Sequence, residues 1–315
     1  MLETLLRHRL LDDYQTLDIK YYINQRKKDF PHLNEDFDVL KPYKTMITLC
    51  IAYPHQPEKF KGKGYGLVSR YSYGIDYHLV FESLFKDLIK RFEDHDIKAK
   101  GYADTGPVDE RYAAYLSGLG YLGKNQFLIH PKHGTYVYLG VLLIDEELTK
   151  ENYLEDTCGD CHLCIDACPT DALDNGFNKR LCTSYVTQAK EVLDMKDFKP
   201  LKTMIFGCDI CQKVCPKNIG RIFHDRPEFK ADEASQLDLI NLLETSNKKI
   251  EQKYHQYAFS FRGGLVLKRN AIALLYNQRV DSALPLCKKV YENYKHVPWF
   301  EESVKALLKS WEERL

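Results

Sequence analysis

Eight of the ten cysteines fall within the fewer than sixty residues from Cys158 to Cys215, and their spacing is that of iron–sulfur ligation. The first run reads Cys158-Gly-Asp-Cys161-His-Leu-Cys164-Ile-Asp-Ala-Cys168-Pro169. Cys182 follows, and then Cys208-Asp-Ile-Cys211-Gln-Lys-Val-Cys215-Pro216. The pattern C-x2-C-x2-C-x3-C-P is the bacterial ferredoxin run, in which three close thiolates hold one 4Fe-4S cube and the fourth cysteine serves a neighbouring cube. On that logic Cys158, Cys161, Cys164 and Cys215 ligate one cluster, and Cys168, Cys182, Cys208 and Cys211 the other. Zinc also takes paired cysteines, but zinc sites rarely set three cysteines at two-residue intervals ahead of Cys-Pro. A disulfide framework suits small secreted chains that lack a core. Cys50 and Cys287 lie on apolar segments and read as packing.

Other residues point to chemistry more weakly. Asp104 sits where a short strand, residues 97–102, runs into the turn Ala103-Asp104-Thr105-Gly106-Pro107. In an open α/β sheet that is where ligands collect, although such an aspartate is more often a turn or cap residue. Residues 61–78 are dense in Gly, Tyr and Ser, so the backbone can lie close to something flat while tyrosines cover it. A plain surface loop is the bland alternative. Residues 118–123 spell G-x-G-x-x-G, but a helical pattern precedes them and strands follow, the reverse of a dinucleotide fingerprint. From residue 245 to 295 there are ten Lys or Arg (248, 249, 253, 262, 268, 269, 279, 288, 289, 295) against three acids (251, 281, 292), with Tyr254, Tyr257, Phe259 and Phe261 interleaved. Bases can stack on such rings and phosphates can sit on such cations; a solvated helix face has the same composition.

The elements that must position these groups follow from periodicity. Residues 1–30 are charged and helical in pattern. Residues 44–53 form a near-continuous apolar run ended by Pro54, which suits a buried strand. Residues 79–94 carry Val80, Leu84, Phe85, Leu88, Ile89 and Phe92 on one helical face, and strands follow at 126–130 and 135–144 around the turn Pro131-Lys-His-Gly134. Helical spacing then returns at 265–276, 282–291 and 303–315. With 315 residues, 44% of them hydrophobic, the chain has ample core. Its 45 basic and 45 acidic side chains cancel, so any nucleic-acid partner must meet a local patch. No run reaches the length of a membrane span and no export leader opens the chain, so reduced cysteines and labile clusters place it in the cytoplasm.

Together these pieces resemble the epoxyqueuosine reductases, cobalamin- and iron–sulfur-dependent enzymes of the last step of tRNA queuosine synthesis. The resemblance rests on Ser69-Arg70-Tyr71-Ser72-Tyr73-Gly74-Ile75-Asp76-Tyr77-His78, on Asp104-Thr105-Gly106, on Gly118 through Asn125, on both cysteine runs, and on Phe261-Arg262-Gly263 with Lys268-Arg269-Asn270-Ala271. It covers residues 45–275 in order. It implies a multi-domain chain of mixed α/β and α+β class. Residues 1–148 form an α/β cobalamin-binding domain, 149–228 a ferredoxin-like domain with two 4Fe-4S clusters, and 229–315 an α-helical HEAT-like tail that meets tRNA. It further implies that Asp104 donates a proton to the substrate oxygen. Ser69, Leu128, Leu139, Ser184, Asp209 and Ile210, with Asp104, line the corrin; Gln188, Lys190, Arg262, Lys268 and Arg269 lie toward the tRNA anticodon stem-loop. An acid at Asp104 must be protonated near neutral pH, which calls for burial beside apolar surface such as the corrin. The further expectations are an outside electron donor, no membrane and a monomer. Relative to the family the chain opens about thirty residues late and its tail is short. Two rivals share the cysteines: a reductive dehalogenase-like enzyme acting on a small organohalide, and an iron–sulfur electron carrier with no corrinoid.

Overall fold

The computed structural model describes residues 2–33, 35–54, 59–148, 154, 157–221 and 226–315. Residues 149–153, at the expected first domain boundary, lie outside the described residues. Among the described residues the strands are β1 (Asp13–Asp18), β2 (Thr45–Ala52), β3 (Tyr65–Val68), β4 (Ala99–Tyr102), β5 (Tyr121–Leu122), β6 (Leu128–Ile129), β7 (Val137–Ile144), β8 (Met204–Phe206) and β9 (Gln236–Asp238). The chain divides into two compact units. One comprises Met1–Pro54, Tyr77–His162 and Cys215–His224; the other comprises His55–Asp76, Leu163–Val214 and Asp225–Leu315.

The first unit is built on a sheet of order β1-β2-β7-β4. β2, the apolar run singled out by its composition, is buried at all eight positions. It pairs with β1 on one side and β7 on the other. The helix Tyr77–Glu93 buries Val80, Phe81, Leu84, Phe85, Leu88 and Phe92, the stripe its spacing predicts. Gly140 of β7 admits the Phe81 ring, which a Cβ there would meet at 2.5 Å. A mixed α/β fold is what the chain has, but every pairing in this sheet is antiparallel. The placement of Asp104 by the parallel-sheet rule therefore does not apply; a turn after β4 puts it where it is. The opening residues also differ from a purely helical reading. Between the helices Leu2–Leu6 and Ile19–Asp29 runs β1, whose polar-rich Asp-Tyr-Gln-Thr-Leu-Asp becomes strand because it pairs along the whole edge of β2.

The second unit has a sheet of order β8-β3-β9, with β3 parallel to β8 and antiparallel to β9. The Gly/Tyr-rich stretch thus holds a strand. β3 and β9 are too short to show a period of two, and long-range pairing makes them. Around this sheet pack the helices Leu239–Glu244, Gly264–Asn277, Leu284–Tyr294 and Pro298–Arg314, through a core that includes Phe198, Phe206, Phe259, Leu274, Phe300 and Trp311. Cys287 is inside this core and Cys50 lies within β2 in the first unit, both as packing residues. No helix among the described residues is long and apolar enough to cross a membrane.

Candidate functional site

In the first unit, β4 ends at Tyr102 and the chain turns through Asp104 before Asp109 caps the helix Glu110–Leu116 by accepting the Tyr112 N–H at 3.1 Å. Asp104 adopts φ 63°, a left-handed conformation that a short polar side chain tolerates. Its backbone N–H donates to Glu110 Oε1 at 2.8 Å. Its carboxylate is 64% exposed and receives the Tyr77 hydroxyl at 2.8 Å, with His78 Nε2 at 3.5 Å from the same oxygen. The Tyr77 ring is stacked on Tyr138 of β7, centroids 4.7 Å apart at 9°, and on His78 at 4.1 Å.

The hydrogen bond from His78, with help from Tyr77 and the charge of Arg111, holds the Asp104 carboxyl below its ordinary range despite some burial. Within the chain alone the Asp104 carboxyl is not raised: its side chain is exposed, and an imidazole and a hydroxyl reach it from a neighbouring helix. The raised acid is Glu110, which burial, with the charges of Asp104 and Asp109, pushes up to about 7. Neither His78 nor Glu110 stood out in the sequence. His78 closes the Ser69–His78 motif and Glu110 follows a cap, and only the fold brings them to Asp104.

Three of the cluster cysteines belong to this unit. Cys215 packs with Tyr121 and Ile129, and Cys158 lies against the same group. The Lys124 backbone N–H points at Cys158 Sγ at 3.5 Å. Burial pushes the Cys215 thiol up, and Cys158 and Cys161 are near enough for their charge to add to it. Cys215, from the far end of the second run, thus lies within charge range of Cys158 and Cys161, while Cys164 belongs to the second unit and bears on Cys211.

In the second unit Cys168, Cys182, Cys208 and Cys211 act on one another. Burial pushes Cys208 up to about 11, with Asp209, Cys182 and Cys168 adding; Cys211 is pushed further, with Cys208, Cys182, Cys164 and Cys168 adding. Crowded buried thiols resist ionising, and a multivalent metal core is what makes thiolates of such a set, so the donors fit an iron–sulfur cluster. Among the described residues no three Cys, His, Asp or Glu side chains close on a single-ion site.

The local fold around these thiols is over-determined. Gly207, just before Cys208, has φ 72°, and a Cβ there would stand 2.4 Å from Ser69 Cβ; only glycine meets both conditions. Its N–H donates to Thr187 Oγ1 at 2.8 Å. Lys268 and Arg269, expected at the RNA face, are 2% and 0% exposed. Lys268 Nζ donates to the Leu243 carbonyl at 3.1 Å. Arg269 donates to the carbonyls of Ala189 at 2.6 Å and Val186 at 3.0 Å, and Asn270 Nδ2 to those of Thr187 and Ile205. These two cations are therefore withdrawn from the RNA-contacting set: they bind backbone inside the unit, because the helix that carries them is buried along most of its length. Phe259 and Tyr257 are buried as well. What remains outside is Arg262, exposed, its guanidinium 4.8 Å from the ring centroid of Phe261, itself 61% exposed. Lys190 is exposed, while Gln188 is half-buried and donates to the Ser184 carbonyl at 3.0 Å.

The residues assigned to the corrin divide similarly. In the first unit Leu139 is half-buried on β7 beside the buried Leu128, an apolar shelf of the kind a macrocycle face accepts. In the second, Ser69 donates its hydroxyl to the buried Asp209, which also accepts the Arg70 N–H at 3.3 Å. Ser184 and Ile210 are half-buried. Within the second unit the Ser69 hydroxyl and the Asp209 carboxylate brace each other.

Comparison with known proteins bears on both parts. Residues 157–218 match the 4Fe-4S double cluster binding domain, and residues 38–105 match the family described as epoxyqueuosine reductase QueG, DUF1730. The epoxyqueuosine reductase of Bacillus anthracis is 34% identical over 293 residues, 89% of this chain and 75% of that protein. That of Staphylococcus aureus is 36% identical over 255 residues, 78% of this chain and 67% of that one. Among solved structures, a selenomethionine-labelled epoxyqueuosine reductase superposes with a TM-score of 0.83 at 26% identity, covering 98% of both chains. An epoxyqueuosine reductase with a tRNA-Tyr epoxyqueuosine-modified stem loop gives 0.79 at 27% identity over 95% of both. A paired-cluster cysteine framework, a reductase-family segment that ends next to Asp104, and relatives spanning most of their own length lead to one assignment: this chain belongs to the epoxyqueuosine reductase family.

Proposed function

We propose that this chain reduces epoxyqueuosine to queuosine in the anticodon wobble position of tRNA, with Asp104 as the acid. The observation that carries the reading is the group of four mutually interacting thiols, Cys168, Cys182, Cys208 and Cys211, in a chain of this reductase family. Opening an epoxide to an alkene takes two electrons and two protons and releases water; no ordinary side chain supplies the electrons. Bound 4Fe-4S clusters and cobalamin supply them, replenished by an outside donor. The two clusters take Cys158, Cys161, Cys164 and Cys215, and Cys168, Cys182, Cys208 and Cys211. Ser69, Leu128, Leu139, Ser184, Asp209 and Ile210 hold the cobalamin.

The chain's own residues handle the proton and the RNA. Asp104 presents Oδ2 on an exposed turn, its backbone tied to Glu110 and its carboxylate to Tyr77 and His78. Once protonated, it gives that proton to the departing epoxide oxygen. Arg262 and Phe261 offer a cation and a ring face to single-stranded RNA, with Lys190 as a further phosphate contact and Gln188 near it. The tasks only partly follow the chain: 149–228 carries the cluster cysteines and a HEAT-like 229–315 meets tRNA, but cobalamin draws on Ser184, Asp209 and Ile210 as well as on 1–148, and Gln188 and Lys190 join the tRNA contacts. A monomer working in the cytoplasm suits a tRNA substrate.

The test is anaerobic turnover of epoxyqueuosine-containing tRNA by cluster- and cobalamin-loaded protein, with Asp104→Asn beside the wild type. The variant retains iron and cobalt and stops conversion. Undiminished turnover in the variant would remove Asp104 from the reaction, and a fully loaded wild type that leaves the modified tRNA unchanged would remove the activity.

A further inference from the structure

An acid used once per turnover must regain its proton once per turnover, and Asp104 is surrounded by a small set of groups that bear on this. From the helix Tyr77–Glu93 come Tyr77 and His78; from the helix Glu110–Leu116 come Glu110 and Arg111. Arg111 does not release a proton in the working range, and a phenol such as Tyr77 does so only near pH 10. Glu110 is bonded to the backbone N–H of Asp104 and not to its carboxylate. Imidazole is the side chain that gains and loses a proton near neutrality. His78 Nε2 lies 3.5 Å from the Oδ2 that also receives the Tyr77 hydroxyl, and the His78 side chain is 37% exposed. Its ring is stacked on Tyr77, and Tyr77 on Tyr138 of β7, so the imidazole is held by the sheet while its edge reaches water.

Resting on the reading of Asp104 as the acid, we infer that His78 is the positioning residue that returns the proton to Asp104 between turnovers. The Nε2–H bond breaks, the proton passes to Oδ2, and the neutral imidazole takes a replacement from solvent. No electron moves. In the ionised state the same contact keeps Asp104 aimed, with Tyr77 on its carboxylate and Glu110 on its backbone.

The test uses the full chain with its clusters loaded. Carboxyl-labelled aspartate followed by NMR reads Asp104 directly, with Asp104→Asn assigning the signal. In His78→Gln the Asp104 titration moves up, because its strongest hydrogen-bond partner no longer carries charge. In multiple-turnover assays on modified tRNA, His78→Gln lowers the rate about tenfold with KM within about twofold, and flattens the pH profile across the imidazole range. In His78→Gly, added imidazole restores rate. A wild-type rate and profile in His78→Gln overturns the inference. So does a slower variant with an unchanged profile and no imidazole rescue, which marks a structural role. If the wild type converts no tRNA, the proposed reaction falls, and the titration alone decides the pair: an unmoved Asp104 signal overturns it.

Discussion

Replacing Arg269 by Met separates two readings of a buried cation. A basic residue in a positively charged tail reads as an RNA contact, whereas the fold makes it a clamp on the segment after Cys182. The side chain makes two charged hydrogen bonds to backbone, at 2.6 and 3.0 Å, and a forked one to the buried Asn270 Oδ1 at 2.9 and 3.1 Å, each of the three acceptors contributing ~1.5–3 kcal/mol. Its removal leaves the Ala189 carbonyl without that donor, a further cost of ~1–3 kcal/mol; Val186 keeps a weaker bond from the Ala189 N–H at 3.4 Å. Opposing this, burial has pushed the guanidinium from its usual range down to about 9, so relieving the interior of that charge returns roughly 5 kcal/mol. Methionine fills most of the volume, so no large cavity adds to the cost. The losses win by about 4 kcal/mol, concentrated in residues 183–189. The expected result is a lower melting temperature, faster hydrogen exchange across 183–189 and faster iron loss to a chelator. The salt dependence of tRNA binding stays unchanged. A variant that melts and holds iron like the wild type, but whose log Kd against log salt slope falls by about one, would refute the clamp and restore Arg269 to the RNA face.

Other perturbations test neighbouring parts of the argument. Arg262→Gln weakens tRNA binding with a salt slope reduced by about one and leaves iron content alone, read by binding titrations at several salt concentrations. Cys182→Ser or Cys211→Ser loses roughly half of the iron in anaerobic metal analysis, whereas Cys287→Ala, in the apolar core, keeps all of it. Glu110→Gln tests the raised carboxyl. The folded chain keeps this proton to about 7 while the unfolded chain releases it near 4.5, so Glu110 lends stability below the lower value that is lost as pH rises through the upper one. The wild-type stability therefore drops between those limits. The glutamine variant, which cannot ionise, stays level and is the more stable by ~3 kcal/mol at pH 8, measured by denaturant melts across pH.

What was legible in the sequence was whatever depends on spacing alone. Thiolate spacing is set by intervals along the chain, and the described thiols crowd accordingly: Cys158 and Cys161 bear on Cys215 in one unit, and Cys168, Cys182 and Cys208 bear on Cys211 in the other, where Cys164 also lies. The stripe of the helix Tyr77–Glu93 and the all-apolar β2 were legible for the same reason. Partners brought together over long distances were not. Lys268 and Arg269 count as surface charge until the carbonyls of Leu243, Val186 and Ala189 are seen to need donors inside the unit. β1, β3 and β9 are too polar or too short to declare themselves, and each exists by pairing with a strand far along the chain. Strand direction is invisible to periodicity, which is why an alternation of strands and helices concealed an antiparallel sheet.

The low carboxyl of Asp104 is chemically useful in its own right. A carboxylic acid raised toward neutrality would always carry its proton but would release it reluctantly. An acid held low releases its proton readily, at the cost of being seldom loaded. The environment of Asp104 favours the second choice, through a bonded phenol, a near imidazole and a distant guanidinium. Such an acid works only if a donor that exchanges its proton near neutral pH stands beside it and the geometry survives the loss of the acid's own proton. The backbone tie to Glu110 meets the second condition, since the Asp104 N–H bond is indifferent to the state of the side chain. Residue choice meets the first, because lysine or arginine in place of His78 would hold the carboxylate equally well and never give up the proton near neutral pH.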